Sequence, residues 1–110
     1  MRERQVMMNW FFSGTLSGDA VRSFSYHEPF TLLKIGGTAE NDSSATLAAS
    51  GGATIAAAAI GDSGAFVYAA PTSSQMVAAG TEVILTLDYD GASGTASANV
   101  EAQVILLTGG

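Results

Sequence analysis

The sequence has no cysteine, a single histidine, only two prolines, and no lysine or arginine after Lys34. Without cysteine there can be no disulfide, thiolate metal site or cysteine nucleophile, so stability must come from packing or from assembly. The lack of basic residues weighs against a nucleic-acid groove, a cationic membrane face or a lysine- or arginine-based active site anywhere in residues 35–110. Long apolar runs are missing too: no stretch approaches the ~20 residues a membrane-spanning helix needs. The opening Met1-Arg2-Glu3-Arg4, followed by Val6–Phe12, superficially resembles a signal peptide. Asn9 interrupts its apolar run, however, and no small-residue cleavage site follows closely, so export by this segment is not expected.

What remains is acidic and built from small side chains. The 110 residues carry a net charge of -6. Residues 1–34 hold all four bases against Glu3, Asp19 and Glu28, a net +1, whereas the remainder holds seven acids and no base. Such a surface should repel DNA and anionic lipid. The length suits one domain, residues 1–110, burying roughly 65% of the unfolded chain's surface. The charged, Met-rich residues 1–8 stand out as a candidate N-terminal arm.

Hydrophobic periodicity of two runs through the chain. Met8, Trp10, Phe12 and Leu16 share one face of the first segment; Val83, Leu85, Leu87 and Tyr89 share one face of 82–89, with Glu82, Thr86 and Asp88 opposite. Residues 100–107 alternate in the same way. These patterns predict half-buried strands. Weaker candidates lie at 20–26, 30–36, 44–49, 53–60 and 65–69, with a short one near 75–78. Turn residues such as Ser17-Gly18-Asp19, Glu28-Pro29, Gly51-Gly52 and Asp90-Gly91 separate them. About eight short strands in one small domain predict an all-β antiparallel sandwich or jelly roll. The segment Ala53–Ile60 is rich in alanine, the best helix former, yet the flanking glycines leave only a short stretch and Thr54 and Ile55 are β-branched, so a strand is expected.

Few residues suggest chemistry. His27, in Tyr26-His27-Glu28-Pro29, reads as a surface or interface histidine, because a nucleophilic mechanism needs a base held against its nucleophile by a third group. Asp88-Tyr89-Asp90-Gly91 begins like a calcium loop, but Ala92, Ala96 and Asn99 stand where an EF-hand places ligands. A different calcium site joining Asp88, Asp90, Glu40 or Asp42 competes with the reading of solvated turn carboxylates, which is preferred; no metal or other cofactor is expected. Trp10, Phe11 and Phe12 are consecutive, so both faces of their strand carry rings. If Trp10 and Phe12 face the core, Phe11 points outward, either under a loop or against a partner. Arg2 and Arg4 extend this candidate contact as an arm toward an acidic surface, with a solvated tip as the alternative.

From Pro29 onward the order of features resembles the small β-jelly-roll virion proteins of tailed bacteriophages, notably capsid decoration (cement) proteins and related fibre-attachment jelly rolls. The resemblance rests on Phe30-Thr31-Leu32-Leu33-Lys34-Ile35 after a proline, Ser44-Ala45-Thr46-Leu47, and Val77 through Leu87. A Gly/Ser/Ala loop and an alternating last strand ending in glycine complete it. It implies a non-enzymatic homotrimer on the capsid surface that binds the major capsid protein and stabilises the assembled head. The basic, aromatic beginning departs from the resemblance, and on their own chemistry Arg2, Arg4, Trp10, Phe11 and Phe12 are the expected contact. The other reading is a receptor- or carbohydrate-binding jelly roll of a fibre, in which Tyr26, Phe66, Tyr68 and Tyr89 are the candidate sugar-stacking aromatics. Neither reading calls for a nucleic-acid or membrane partner.

Overall fold

In the computed structural model, which describes residues 3–61, 66–72, 76–90 and 94–109, the regular structure is all strand. The elements are β1 (Arg4–Thr15), β2 (Ala20–Phe24), β3 (Phe30–Thr38), β4 (Ser43–Ala49), β5 (Thr54–Ile60), β6 (Val67–Ala69), β7 (Val83–Asp88) and β8 (Ala98–Thr108). Each strand pairs antiparallel with the one whose number completes nine: β1 with β8, β2 with β7, β3 with β6 and β4 with β5. The chain is thus a long hairpin of strands rolled so that alternate pairs fall in opposite sheets. One sheet has the order β1-β8-β3-β6 and the other β2-β7-β4-β5. That is jelly-roll topology, as expected for an all-β antiparallel sandwich.

The alternation that predicted the strands is also what fills the space between the sheets. Val100, Ala102, Val104 and Leu106 of β8 and Phe30, Leu32 and Ile35 of β3 face Val83, Leu85 and Leu87 of β7 and Ala45 and Leu47 of β4, all buried. Their burial supplies the main favourable term, at roughly 1.5–3 kcal/mol for each large side chain. The alanine-rich segment is a strand, β5, with Ala56 and Ala58 inside and Ala57 and Ala59 exposed. Small residues there keep the core thin.

Three irregularities adjust the alternation. Register shifts between Leu32 and Lys34 of β3, leaving Leu33 as the extra, exposed residue, and near Ala48 of β4, where Ile55 is the extra residue on β5. In the β1–β8 pair the ladder breaks between Phe12 and Thr15. Gly14 (φ 81°) and Asn99 (φ 51°) sit at that break, and the Asn99 side chain accepts a bond from Gly14 N at 2.8 Å. Glycine and asparagine are the residues that tolerate left-handed backbone at least cost.

The strand limits differ from the sequence pattern mainly at the N-terminus. Residues 4–8, part of the candidate arm, form the first half of β1 and pair with Thr108 through Val104. The short candidate near 75–78 is reduced, within the described residues, to a single bridge between Val77 and Phe30.

Candidate functional site

The outward face of the β1-β8-β3-β6 sheet carries the surface features that the core does not account for. Register places its side chains in rows that cross the strands. One row runs Met7, Ile105 and Lys34; the next Asn9, Gln103, Gly36 and Tyr68; the third Phe11, Glu101 and Thr38.

The middle row is a hydrogen-bonded chain. Gly36 has no side chain, so Tyr68 leans across β3 and its hydroxyl donates to Gln103 Oε1 at 2.8 Å. Gln103 Nε2 donates to Asn9 Oδ1 at 3.2 Å, and Asn9 Nδ2 to Glu101 Oε2 at 2.6 Å. Lys34 Nζ stands 4.2 Å from the centre of the Tyr68 ring, in cation–π range. Gln103 is only 8% exposed, so its amide depends on these partners rather than on water.

Apolar groups lie to either side of this chain. Met7 is 62% and Phe11 60% exposed, both on β1. Trp10 and Phe12 point the other way, half-buried against the core: the Trp10 ring is 5.8 Å from that of Phe24, and the Arg22 guanidinium covers Phe12 at 4.7 Å. Of the three consecutive aromatics, then, only Phe11 is on the outer face. β1 is also the last strand of its sheet and, among the described residues, pairs on one side only, and from Gln5 through Gly18 it and the following turn carry no charged side chain.

The other sequence-predicted residues are dispersed. Arg4 is in an ion pair with Glu28 of its own chain at 2.7 Å; Arg2 lies outside the described residues. Glu28 also accepts from Thr108 Oγ1 at 3.1 Å and lies 3.2 Å from His27 Nε2, so it ties the start of β1, the β2–β3 loop and the end of β8 together. The Arg4 and Thr108 hydrogen bonds hold its carboxyl below the usual range. His27 is exposed, and its ring lies 4.5 Å from that of Tyr26, tilted by 41°. Of the candidate sugar-stacking aromatics, Phe66 and Tyr68 are neighbours at 5.8 Å, whereas Tyr26 packs edge-on against Phe30 and Tyr89 follows β7 near Ser97.

The acidic positions do not converge. Among the described residues no three His, Cys, Asp or Glu side chains are grouped to hold a metal ion. Asp42 and Asp88 line an open cleft of about 460 Å³ with Ser43, Ser44 and Ala59, while Glu40 accepts from Asn99 Nδ2. The Asp90 carboxyl is pushed up, chiefly by its hydrogen bond with Asp88, then by desolvation and like-charge repulsion from that residue. A second cleft, about 300 Å³, is lined by small and apolar side chains including Ala53, Ile55 and Met76.

Compared with protein-family models, curated proteins and solved structures, the chain matches none.

Sequence reasoning missed the polar row. Its members are harmless singly, and Asn9 and Gln103 are 94 positions apart. Only the topology brings them side by side.

Proposed function

We propose that this chain is a non-enzymatic structural protein of a phage virion, a capsid decoration protein seated on the outside of the assembled head, with β1 as its assembly contact. The observation that carries this reading is Phe11, a large ring 60% exposed on the longest strand of a jelly roll, with Met7 beside it. Leaving such groups in water costs free energy that a partner surface recovers. Binding only the assembled shell stabilises that shell without any reaction, and a standard interface of roughly 1,600 Å² repeated over many sites is enough. The partners are the major capsid protein and further copies of the chain; the resemblance points to a trimer. The acidic, base-free stretch 35–110 and the exposed, loop-borne His27 suit such a role better than nucleic-acid binding or catalysis.

Cosedimentation with expanded heads of the phage whose genome carries the chain tests the reading. Binding by the native chain and its loss in Phe11→Ser are expected; no binding by the native chain overturns it.

A second reading, a glycan-binding jelly roll, is favoured by one observation: Phe66 and Tyr68 adjoin the polar row of Gln103 and Asn9. Rings beside amides are the usual means of holding a sugar. It ranks second because Lys34 already lies over the Tyr68 ring and the Tyr68 and Gln103 polar groups are bonded to each other. Signal on a glycan array that disappears in Tyr68→Ala would reverse the ranking.

A further inference from the structure

We propose that β1 pairs antiparallel with β1 of a second copy about a two-fold axis at Asn9, joining two four-stranded sheets into one of eight. This rests on the reading of β1 as the assembly contact, names its occupant, and puts a two-fold pair in place of the trimer that the resemblance implies.

The free edge of β1 is unprotected. The end strands of the two sheets are β1, β6, β2 and β5. β6 has three residues, β2 has five with the charged Arg22 among them, and β5 has seven. β1 has twelve, with no proline, no bulge before Phe12 and no charge after Arg4. Protected edges are short, charged, bulged or proline-bearing, and a long strand with none of these devices is a template for another strand. Among the described residues, the ladder partner of Gln5–Phe12 is β8 alone.

Register supplies the second argument. Antiparallel pairing about a two-fold axis perpendicular to the sheet keeps outer side chains opposite outer ones, so the axis must pass through a residue position. With the axis at Asn9, Met7 faces the other copy's Phe11 and Phe11 its Met7. On the inner face Val6 meets Phe12 and Met8 meets Trp10. Shifting the axis by one residue along the strand, to Met8 or Trp10, sets Met7 and Phe11 against Gln5, Asn9 or Ser13 instead. Only the axis at Asn9 covers both exposed groups with each other, as methionine–aromatic pairs, which are favourable contacts. Val6, Met8, Trp10 and Phe12 are each only partly buried in one copy, so the pairing adds cover on both faces.

Charge supplies the third. Two copies at -6 each repel over most of their surfaces. The segment from Gln5 to Gly18 has no charged side chain, so copies can approach along it without setting like charges directly opposite each other.

The native chain is tested first, by light scattering at about 100 µM, a concentration suited to a small interface. The expected mass is twice the 11.1 kDa of one chain, and Phe11→Lys, a change at an exposed position, should halve it. A monomeric or trimeric native chain overturns the proposal.

The register is tested with single cysteines, which this cysteine-free chain permits. Directly opposed positions have Cβ atoms about 4.5–5.5 Å apart, close to disulfide range. Asn9→Cys should therefore oxidise to a covalent dimer. Gln5→Cys should not, because its counterpart lies eight residues along the strand, roughly 27 Å away. Mixing Gln5→Cys with Ser13→Cys chains should restore the cross-link. Equal cross-linking of Asn9→Cys and Gln5→Cys chains would refute the register. Head binding is read separately: a monomer that still cosediments with heads refutes the dimer alone, and a dimer that does not refutes the decoration reading alone.

Discussion

The Tyr68 ring lies so close over Gly36 that a Cβ on the glycine would stand 2.5 Å from Tyr68 Cδ1 and 2.4 Å from the carbonyl oxygen of Val67. The ring can swing away, but the β6 backbone cannot move without leaving its ladder with β3. Gly36→Ala is expected to destabilise the fold by about 1–3 kcal/mol, the usual cost of overpacking. Combined with Tyr68→Ala it should recover only the side-chain part of that loss. Urea unfolding midpoints of the two single variants and the double variant measure the difference.

Removing only the Tyr68 hydroxyl asks another question. Tyr68→Phe leaves Gln103 Oε1, on a side chain almost withdrawn from water, without its donor. The expected cost is about 1–3 kcal/mol, and Gln103→Leu in the same background should return part of it, because leucine removes the buried acceptor and the exposed Asn9, which loses its Gln103 donor, can turn to water. A double-mutant cycle by chemical denaturation checks this.

Asn99 holds a left-handed backbone at φ 51° inside β8 while its side chain accepts from Gly14 N. Asn99→Ala loses both the tolerance and the bond, an expected loss of about 1–2 kcal/mol or more. Asn99→Gly keeps the backbone and should cost less. The order of the two melting temperatures decides.

Two carboxylates give the acid limb of stability opposite signs. The Glu28 carboxyl is held below its ordinary 4.5, so its contribution is complete above that pH and is lost as pH falls through the folded-state value. The Asp90 carboxyl is raised above its ordinary 3.8, so the folded state takes up that proton more readily. Stability from this group grows as pH falls through the window above 3.8. Melting temperatures from about pH 3 to pH 7 should show a shallower acid loss in Glu28→Gln and a steeper one in Asp90→Asn. Added salt should shrink the Glu28 effect, since its partner Arg4 is exposed.

Leu85 and Phe11 are both large, apolar and on strands, but they differ in what surrounds them. Leu85→Ala should cost about 2–5 kcal/mol through lost burial and a cavity. Phe11→Ser should leave the stability of one copy within about 0.5 kcal/mol, being a surface change, while lowering self-association. Unfolding followed at low and at high protein concentration separates the two effects.

The strands were legible because alternation survives one-sided burial: Val83, Leu85 and Leu87 are buried while Ile84, Thr86 and Asp88 are half-exposed. Even the alanine-rich β5 could be read, from its length and its β-branched start. The extra residues Leu33 and Ile55 could not, because a bulge is fixed by the neighbouring strand and has no local signature here. For the candidate site, the outward direction of Phe11 followed from its position between Trp10 and Phe12. The row Asn9, Gln103, Gly36, Tyr68 needed the strand order, which no local pattern encodes. The ion pair of Arg4 with Glu28 was equally hidden, since it depends on β1 beginning four residues earlier than its clearest alternation.

The pairing of β1 with β8 also sets an order of events at the ribosome. Arg4 aligns with Thr108, so the strand made first must wait for the strand made last. At about 5–20 residues added per second the wait is roughly 5–20 s. Until β8 has been made, Met7, Trp10 and Phe11 lack the ladder they join in the folded domain. Strand contacts so far apart in sequence also form slowly once both strands have been made. The yield of soluble protein should therefore depend on translation speed and on holdase chaperones at least as much as on the stability of the finished fold.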